Sequence, residues 1–508
     1  MKALLMHPDR DFDLNQQAPR HERDLRQDLE LDTLLRAMAG EDKFLFDVAR
    51  KALLSGLQND VETILYRQEI VKDCLKNPVV VRDLYDLAVE AIEIKRKHLF
   101  FGTFSRHYPE SILSGSIELL QLFMGMIRRL KGIADAQAGR FESRGFTALF
   151  AMFQTEFSDE YFACVQNHLK ELKFRAGVLV SAELGEGNEG ANYVLRRARG
   201  KMPNWLKWVL GNWPSAYTFR IHQRDEAGAR ILSELRGRGL NLAANALAQS
   251  ADHILSFFEM LRAELAFHVS CVNLHGKLAA MGMPTSFPRP EAIGARRHRF
   301  SGLYDACLAL SMGRGVVSNA IDADGKSGVI ITGANQGGKS SFLRSIGLAQ
   351  VMMQCGMFVA AEAFAAELCT GLFTHYRREE DATMKSGKLD EEIKRMSEIV
   401  DAITPNALLL LNESFASTNE REGSEIARQV VCALLEKHIK IFFVTHLYEF
   451  AHGFFDRKIK DAIFLRAERR ADGTRTFRLV EGEPLETSYG EDLYREVFPA
   501  ETEKLSEG

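Results

Sequence analysis

The sequence predicts a multidomain chain of two classes: a mostly α-helical N-terminal part with a small β insertion, followed by a C-terminal α/β part. Three observations carry this. Apolar residues recur three and four apart from about residue 22 onward. Short β-branched and aromatic runs break that period between about 172 and 222. After the proline-rich MGMPTSFPRP, the runs GVIIT, ALLLLN and IKIFFVTH alternate with helical stretches, as in a sheet covered on both faces. At 508 residues the chain is long enough for two or three cores.

In chain order, a short segment over 1–21 precedes DLELDTLLRAMAG, DKFLFDVARKALLSGL and DVETILYRQEIVKDCLKN. Each begins at an acidic residue suited to a helix N-cap or first turn. AGVLVSAELG and SAYTFRIHQ suggest a small sheet or hairpins inserted at about 172–222. A long helix is expected from about 240 to 280, because Ile254, Phe258, Leu261, Leu265, Val269 and Val272 form one stripe. The prolines then place the boundary near 290, giving a helical domain over 22–290 and an α/β domain over 291–508.

A net charge of −4 excludes a globally basic nucleic-acid binder, though not a local basic groove. The seven cysteines are scattered, odd in number and without a C-x-x-C pair, which argues against a disulfide framework or structural zinc and for a reducing compartment. MKALLMHPDRDF has too short an apolar run for a signal peptide, and no apolar run approaches the length that crosses a bilayer. A cytoplasmic protein is expected.

Three strand ends carry the chemistry. Gly333 to Ser340 fits G-x-x-x-x-G-K-[ST] between an apolar strand and a helical segment. Its glycines (Gly333, Gly337, Gly338) let the backbone wrap an anion, Lys339 reaches the outer phosphates, and Ser340 offers a hydroxyl to Mg²⁺. Ala407 to Leu411 ends in Asn412-Glu413, where a P-loop ATPase delivers a metal-side carboxylate and then a glutamate that polarises water. Asn412 brings an amide oxygen without the charge; the bland reading is a helix cap. Val444-Thr445-His446 ends a third strand, with His446 either facing the γ-phosphate or bonded to a loop.

These residues resemble the MutS mismatch-repair ATPases. TGANQGGKSSFLRSIGLAQVMMQCGMFVAA is similar to that family's P-loop and first helix, LLLLNESFASTNEREGSEIA to its LxLxDExGxGTSTxDGxxxA, and FFVTHLYEF to its FATHYxEL. Phe373-Thr374, the VVSN run at 316–319 and Ser488-Tyr489-Gly490 also match; the resemblance is specific over about 296–495 and weaker over the helical half. It implies a lever and core domain joined to an ABC-type P-loop ATPase domain that forms a homodimer. It further implies Asn335, Lys339 and the loop through Ser341 at the phosphates, Mg²⁺ at Ser340 and weakly at Asn412, and Glu413 as base. His446 would stand on the γ-phosphate side, Asn319 at the adenine and Asn419 in a loop reaching the partner's nucleotide. Three departures bear on rate: Asn412 for Asp, Phe415-Ala416 for the usual Gly-Arg, and the charged LDEEIKRM.

The resemblance implies ATP-dependent binding to mismatched or structured DNA in mismatch repair or recombination, with slow hydrolysis and possible repair-protein partners. The helical core begins almost at once, so the family's N-terminal Phe-x-Glu wedge domain is expected to be missing, as is a nuclease module after Gly508. Phe257-Phe258-Glu259 matches Phe-x-Glu by letters only and reads as core. Arg196, Arg197, Arg199 and Lys201 precede Trp205, Trp208 and Trp213, which suits phosphate contact with base stacking or, equally, a local mini-core ringed by arginines. Arg296, Arg297 and Arg299 are expected as interdomain ion-pair partners. The alternative function is a nucleotide-gated dimeric scaffold that binds protein partners without DNA; a transporter ATPase is disfavoured by the missing LSGGQ-type signature.

Overall fold

The computed structural model describes residues 1–17, 19–101, 108–175, 177–197, 218–378, 387–457, 459, 461–470 and 473–485. These fall into two compact units.

The first unit takes in Arg82–Phe141 and Phe146–Arg262. Its core lies between the helices Pro109–Gln137 and Glu226–Ala280, where Phe123 and Phe258 rings stand 5.8 Å apart, and Phe257 meets Phe153 at 6.0 Å. Phe257 and Phe258 are therefore core residues. The long helix starts at Glu226, earlier than the apolar stripe alone predicts, because its first turns are amphipathic only weakly: Ile231, Leu232, Leu235 and Leu242 remain exposed. The insertion is a hairpin of β1 (Leu179–Leu184) and β2 (Gly190–Arg196), antiparallel across a turn. The second strand is thus GANYVLR, whereas Thr218 to His222 at the end of SAYTFRIHQ form no strand. Arg196 donates to Ser181 and Arg197 pairs with Glu171 at 2.8 Å; Arg199, Lys201 and the three tryptophans lie outside the described residues.

The helix Pro109–Gln137 with the turn to Arg140 corrects one expectation, since by length and composition it is apolar enough to cross a membrane, with 50% of its most apolar window buried. Gly, Ser and Gln interrupt the apolar residues of this helix, so no long unbroken apolar run marks it in the sequence. Leu113, Ile117, Leu120, Phe123, Ile127, Leu130 and Ala134 are buried at spacings of three and four, the pattern of one face on a protein core.

The second unit joins Leu4–Val81 and Glu142–Gly145 to the chain from Ala263 onward. Packing therefore groups Leu4–Val81 with the α/β segment. A six-stranded sheet has the order β12-β11-β6-β10-β9-β8. Here β6 is Gly328–Thr332, β8 Leu372–Tyr376, β9 Leu408–Asn412, β10 Lys440–Val444, β11 Ala462–Arg469 and β12 Arg475–Glu481. All neighbours are parallel except β11 with β12. Near-continuous apolar runs in β6, β9 and β10 are what a sheet buried on both faces requires. A smaller sheet, β3-β7-β4-β5, comprises Arg289–Glu291, Ala363–Glu367, His298–Leu303 and Asn319–Asp322.

Asp42 and Asp60 cap their helices through side-chain oxygens, as their positions in sequence predict. Asp28 does not: it ends the helix Glu22–Asp28, and the next helix starts after Glu30 turns left-handed at φ 51°. Asp28 is instead buried against Arg378 at 3.0 Å. Arg296 pairs with Asp461 and Arg297 with Asp324, all within this second unit, so these arginines tie loops of one unit together.

Candidate nucleotide-binding site

The site is built on the carboxyl ends of parallel strands, where an open α/β sheet leaves a crevice. The chain leaves β6 at Gly333 with φ 110°, and a Cβ there would stand 2.8 Å from the Ala467 backbone nitrogen, so only glycine fits. The loop turns left-handed again at Gln336 and at Gly338, φ 57° and 87°, and the helix Lys339–Gln354 begins. Lys339 folds back over the loop, its Nζ donating to the Gly333 and Ala334 carbonyls at 2.8 Å each. Burial pushes its ammonium down to about 8, partly offset by Glu413.

Ser340, the second residue of that helix, donates its hydroxyl to Asn412 Oδ1 at 3.2 Å. This contact joins the P-loop to the end of β9 across 72 residues of chain. Glu413 follows in a left-handed conformation, φ 53°, fixed by its N–H donating to Val444 O at 2.8 Å. Its carboxylate is held by His446 Nε2 at 3.1 Å and lies 3.8 Å from Arg377. The His446 hydrogen bond, aided by Lys339 and Arg377, keeps the carboxyl below the usual glutamate range against the opposing effect of burial.

These groups face a cavity of about 790 Å³, within the size range of small-molecule sites. Its lining includes the polar P-loop residues Asn335, Lys339, Ser340 and Ser341 with Glu413, and, around Asp305 and Arg314, the apolar Leu303, Tyr304, Leu308, Met312, Val317 and Phe477. That division suits a ligand with a charged end and a flat apolar end. Asn319 lines the cavity too, its Oδ1 accepting from Leu479 N at 2.8 Å. Gly333 lies behind the lining, while His446 and Asn412 touch it through Glu413 and Ser340. Asn419 is apart from the lining: it caps the helix Glu420–Glu436, accepting from Glu422 N at 3.0 Å, with Thr418 also bonded to Glu422.

As a Mg²⁺ site, the protein's donor set is neutral, consisting of Ser340 Oγ and Asn412 Oδ1, and Glu413 is engaged by His446 and Arg377. Mg²⁺ usually rests on one or two carboxylates plus substrate phosphates. These residues therefore fit the ion as a companion of bound phosphates rather than on its own. Phe415 explains another departure: it adopts φ 64°, where the family pattern has glycine. Its ring, 1% exposed, stacks on His375 at 5.8 Å, so burial offsets a strained backbone.

Sequence reasoning missed Arg377, Tyr304, Phe477 and Arg475, which donates to Gln336 Oε1 at 3.1 Å. Arg377 stands three residues after the Phe373-Thr374 match, but its relevance depends on β8 lying beside β9, an adjacency that no local spacing encodes.

Comparison with known proteins bears on both parts of the chain. Residues 59–281 match the family model of the MutS2 N-terminal domain, and residues 329–499 match MutS domain V. MutS protein homolog 4 of Mus musculus is 28% identical over 218 residues, 41% of this chain and 22% of that protein. The DNA mismatch repair protein MutS of Chloroflexus aurantiacus is 27% identical over 225 residues, 43% of this chain and 23% of the relative. That of Streptococcus mutans is 26% identical over 263 residues, 51% of this chain and 30% of the relative. The chain thus matches less than a third of the length of these curated relatives. With a helical part and an α/β part that each answer to a MutS model, the chain belongs to the MutS family.

Proposed function

We propose that the chain is a slow ATPase whose nucleotide state controls its binding to mismatched or structured DNA, in mismatch repair or recombination. The observation that carries the reading is the convergence of Lys339, Ser340-Asn412 and Glu413-His446, from three separate strand ends, on one cavity with an apolar wall beside it. The kinship to DNA mismatch repair proteins supports the DNA side.

In this reading the triphosphate of ATP takes the place of the Gly333 and Ala334 carbonyls as partner of Lys339, and the loop's N–H groups and helix end favour its negative charge. The base lies on the apolar side near Asn319 and Phe477. Glu413, ionised and oriented by His446, positions the attacking water and accepts its proton. Ser340 and Asn412 would hold Mg²⁺ beside the phosphates, where it would supply positive charge against the charge developing on them. Because those ligands are neutral, turnover is slow and nucleotide occupancy sets the state. Two chains pairing through their ATPase domains would bring Thr418-Asn419 toward the partner's nucleotide.

The test is steady-state ATP hydrolysis with and without homoduplex, mismatched and branched DNA, using Lys339→Ala as control. Stimulation by a deformed DNA, lost in the control, is expected. Turnover indifferent to every DNA, with ATP-dependent dimerisation intact, would replace this reading by that of a nucleotide-gated scaffold for protein partners.

A further inference from the structure

We infer that Arg377 is a positioning residue whose charge, beside the neutral Asn412, makes nucleotide binding by this chain only weakly dependent on Mg²⁺; the inference rests on the nucleotide reading above. Arg377 is fixed where it matters. Its backbone N–H donates to Asn412 O at 3.0 Å, and Arg395 holds the preceding Tyr376 carbonyl at 3.0 Å. Its guanidinium lies 3.8 Å from Glu413 Oε2, with the side chain 43% exposed and so free to turn toward an anion.

The charge around the cavity is lopsided. Lys339 and Arg314 line it, Arg377 borders it at Glu413, and Arg475 borders it at Gln336. Of the two carboxylates in the lining, Asp305 is bound to Arg344 at 2.6 Å, which leaves Glu413. In a site that depends on Mg²⁺, fixed negative charge draws the metal and the metal neutralises the phosphates. Here Asn412 withholds the negative charge and Arg377 supplies part of the neutralisation. Both changes lower the coupling between metal and nucleotide, a free energy that is the same whichever ligand binds first.

The experiment titrates a non-hydrolysable ATP analogue into the full chain by calorimetry, once with excess Mg²⁺ and once with a chelator, and compares the two Kd values. Wild type is expected to show a ratio within about threefold, and Arg377→Ala to widen it by at least about fivefold through weaker binding in the chelator arm. Arg377→Lys should restore the wild-type ratio, which a merely structural role would not require, and Asn412→Asp should widen it. An Arg377→Ala change that weakens both arms equally, or neither, overturns the inference. Wild-type binding that needs Mg²⁺ overturns it while leaving the nucleotide reading intact; binding in neither arm overturns the nucleotide reading itself.

Discussion

The two ends of the helix Lys339–Gln354 have opposite designs. At its N-terminus the backbone is bent through left-handed glycines, Lys339 is held by carbonyls of its own loop, and a cavity adjoins. At its C-terminus the polar groups of Gln354 and Cys355 reach partners far away in the chain. Gln354 O accepts from Asn59 at 2.9 Å, Gln354 Nε2 donates to Leu57 O at 3.0 Å and Cys369 O at 3.1 Å, and Cys355 O accepts from Arg67 at 3.2 Å. Arg67 also donates to Met6 O and to His7 Nε2, at 2.6 and 2.8 Å. A cation at the negative end of a helix, satisfying its orphan carbonyls, is favourable on both counts. One end is thus kept open for an anion, and the other is sealed by Leu57, Asn59 and Arg67.

Breaking the sealed end should have the largest effect. Arg67 is 1% exposed, and Arg67→Ala leaves two buried carbonyls and a histidine without their donor and opens a cavity. A loss of about 3–5 kcal/mol is expected from these combined, read as a lower urea midpoint. Loss of nucleotide affinity in the still-folded fraction would contradict the separation of the two ends.

The same sealed end carries a pH dependence. Glu264 is fully buried and accepts from Leu5 N and Phe12 N at 2.6 and 3.0 Å. Burial pushes its carboxyl up to about 7, against the opposing pull of those two N–H groups. A carboxyl whose folded value is raised binds more protons folded than unfolded, so stability falls as pH rises from about 4.5 through 7. The full cost above that window is on the order of 3 kcal/mol. Glu264→Gln should flatten this slope in denaturation series at pH 5 and pH 8; an unchanged slope would assign the titration elsewhere.

The two ends also differ in how far they were legible. Gly333 through Ser340 is a local motif whose physics lies within eight residues, so its loop and helix start were readable directly. The partner of Cys355 is 288 residues away, and nothing in MKALLMHPDRDF announces a strap held by Glu264, His268 and Arg67. The same limit hid Arg377, whose neighbour Glu413 directly follows the adjacent strand. Asp28 failed as a cap for a related reason, since its tertiary partner Arg378 claims the carboxylate that local spacing assigned to a helix start.

At the open end, Lys339→Ala should weaken nucleotide binding by about a hundredfold, about 2.7 kcal/mol, without lowering the urea midpoint. The native ammonium is buried at some cost, since burial holds it down to about 8, and its removal leaves two loop carbonyls beside a cavity that water can fill. A large drop in stability would mean that Lys339 is a structural staple of the loop, and the contrast between the two ends would narrow.

The smallest expected effect is the most informative about rate. Asn412 Oδ1 receives the Ser340 hydroxyl at 3.2 Å, a geometry that a carboxylate would keep. Asn412→Asp therefore adds charge without demanding a new shape, and it should raise Mg²⁺-dependent turnover severalfold, about 1 kcal/mol of transition-state stabilisation. The gain is held small by Glu413 on the next residue, because two adjacent carboxylates repel and the new one must share the field of Arg377 and Lys339. Combining Asn412→Asp with Arg377→Ala separates these influences: the double variant should need Mg²⁺ for turnover more strictly than either single change. If Asn412→Asp alone binds Mg²⁺ no better and hydrolyses no faster, the missing charge is not what sets the rate, and the strained Glu413–Phe415 turn, with φ of 53° and 64° at its ends, becomes the place to look.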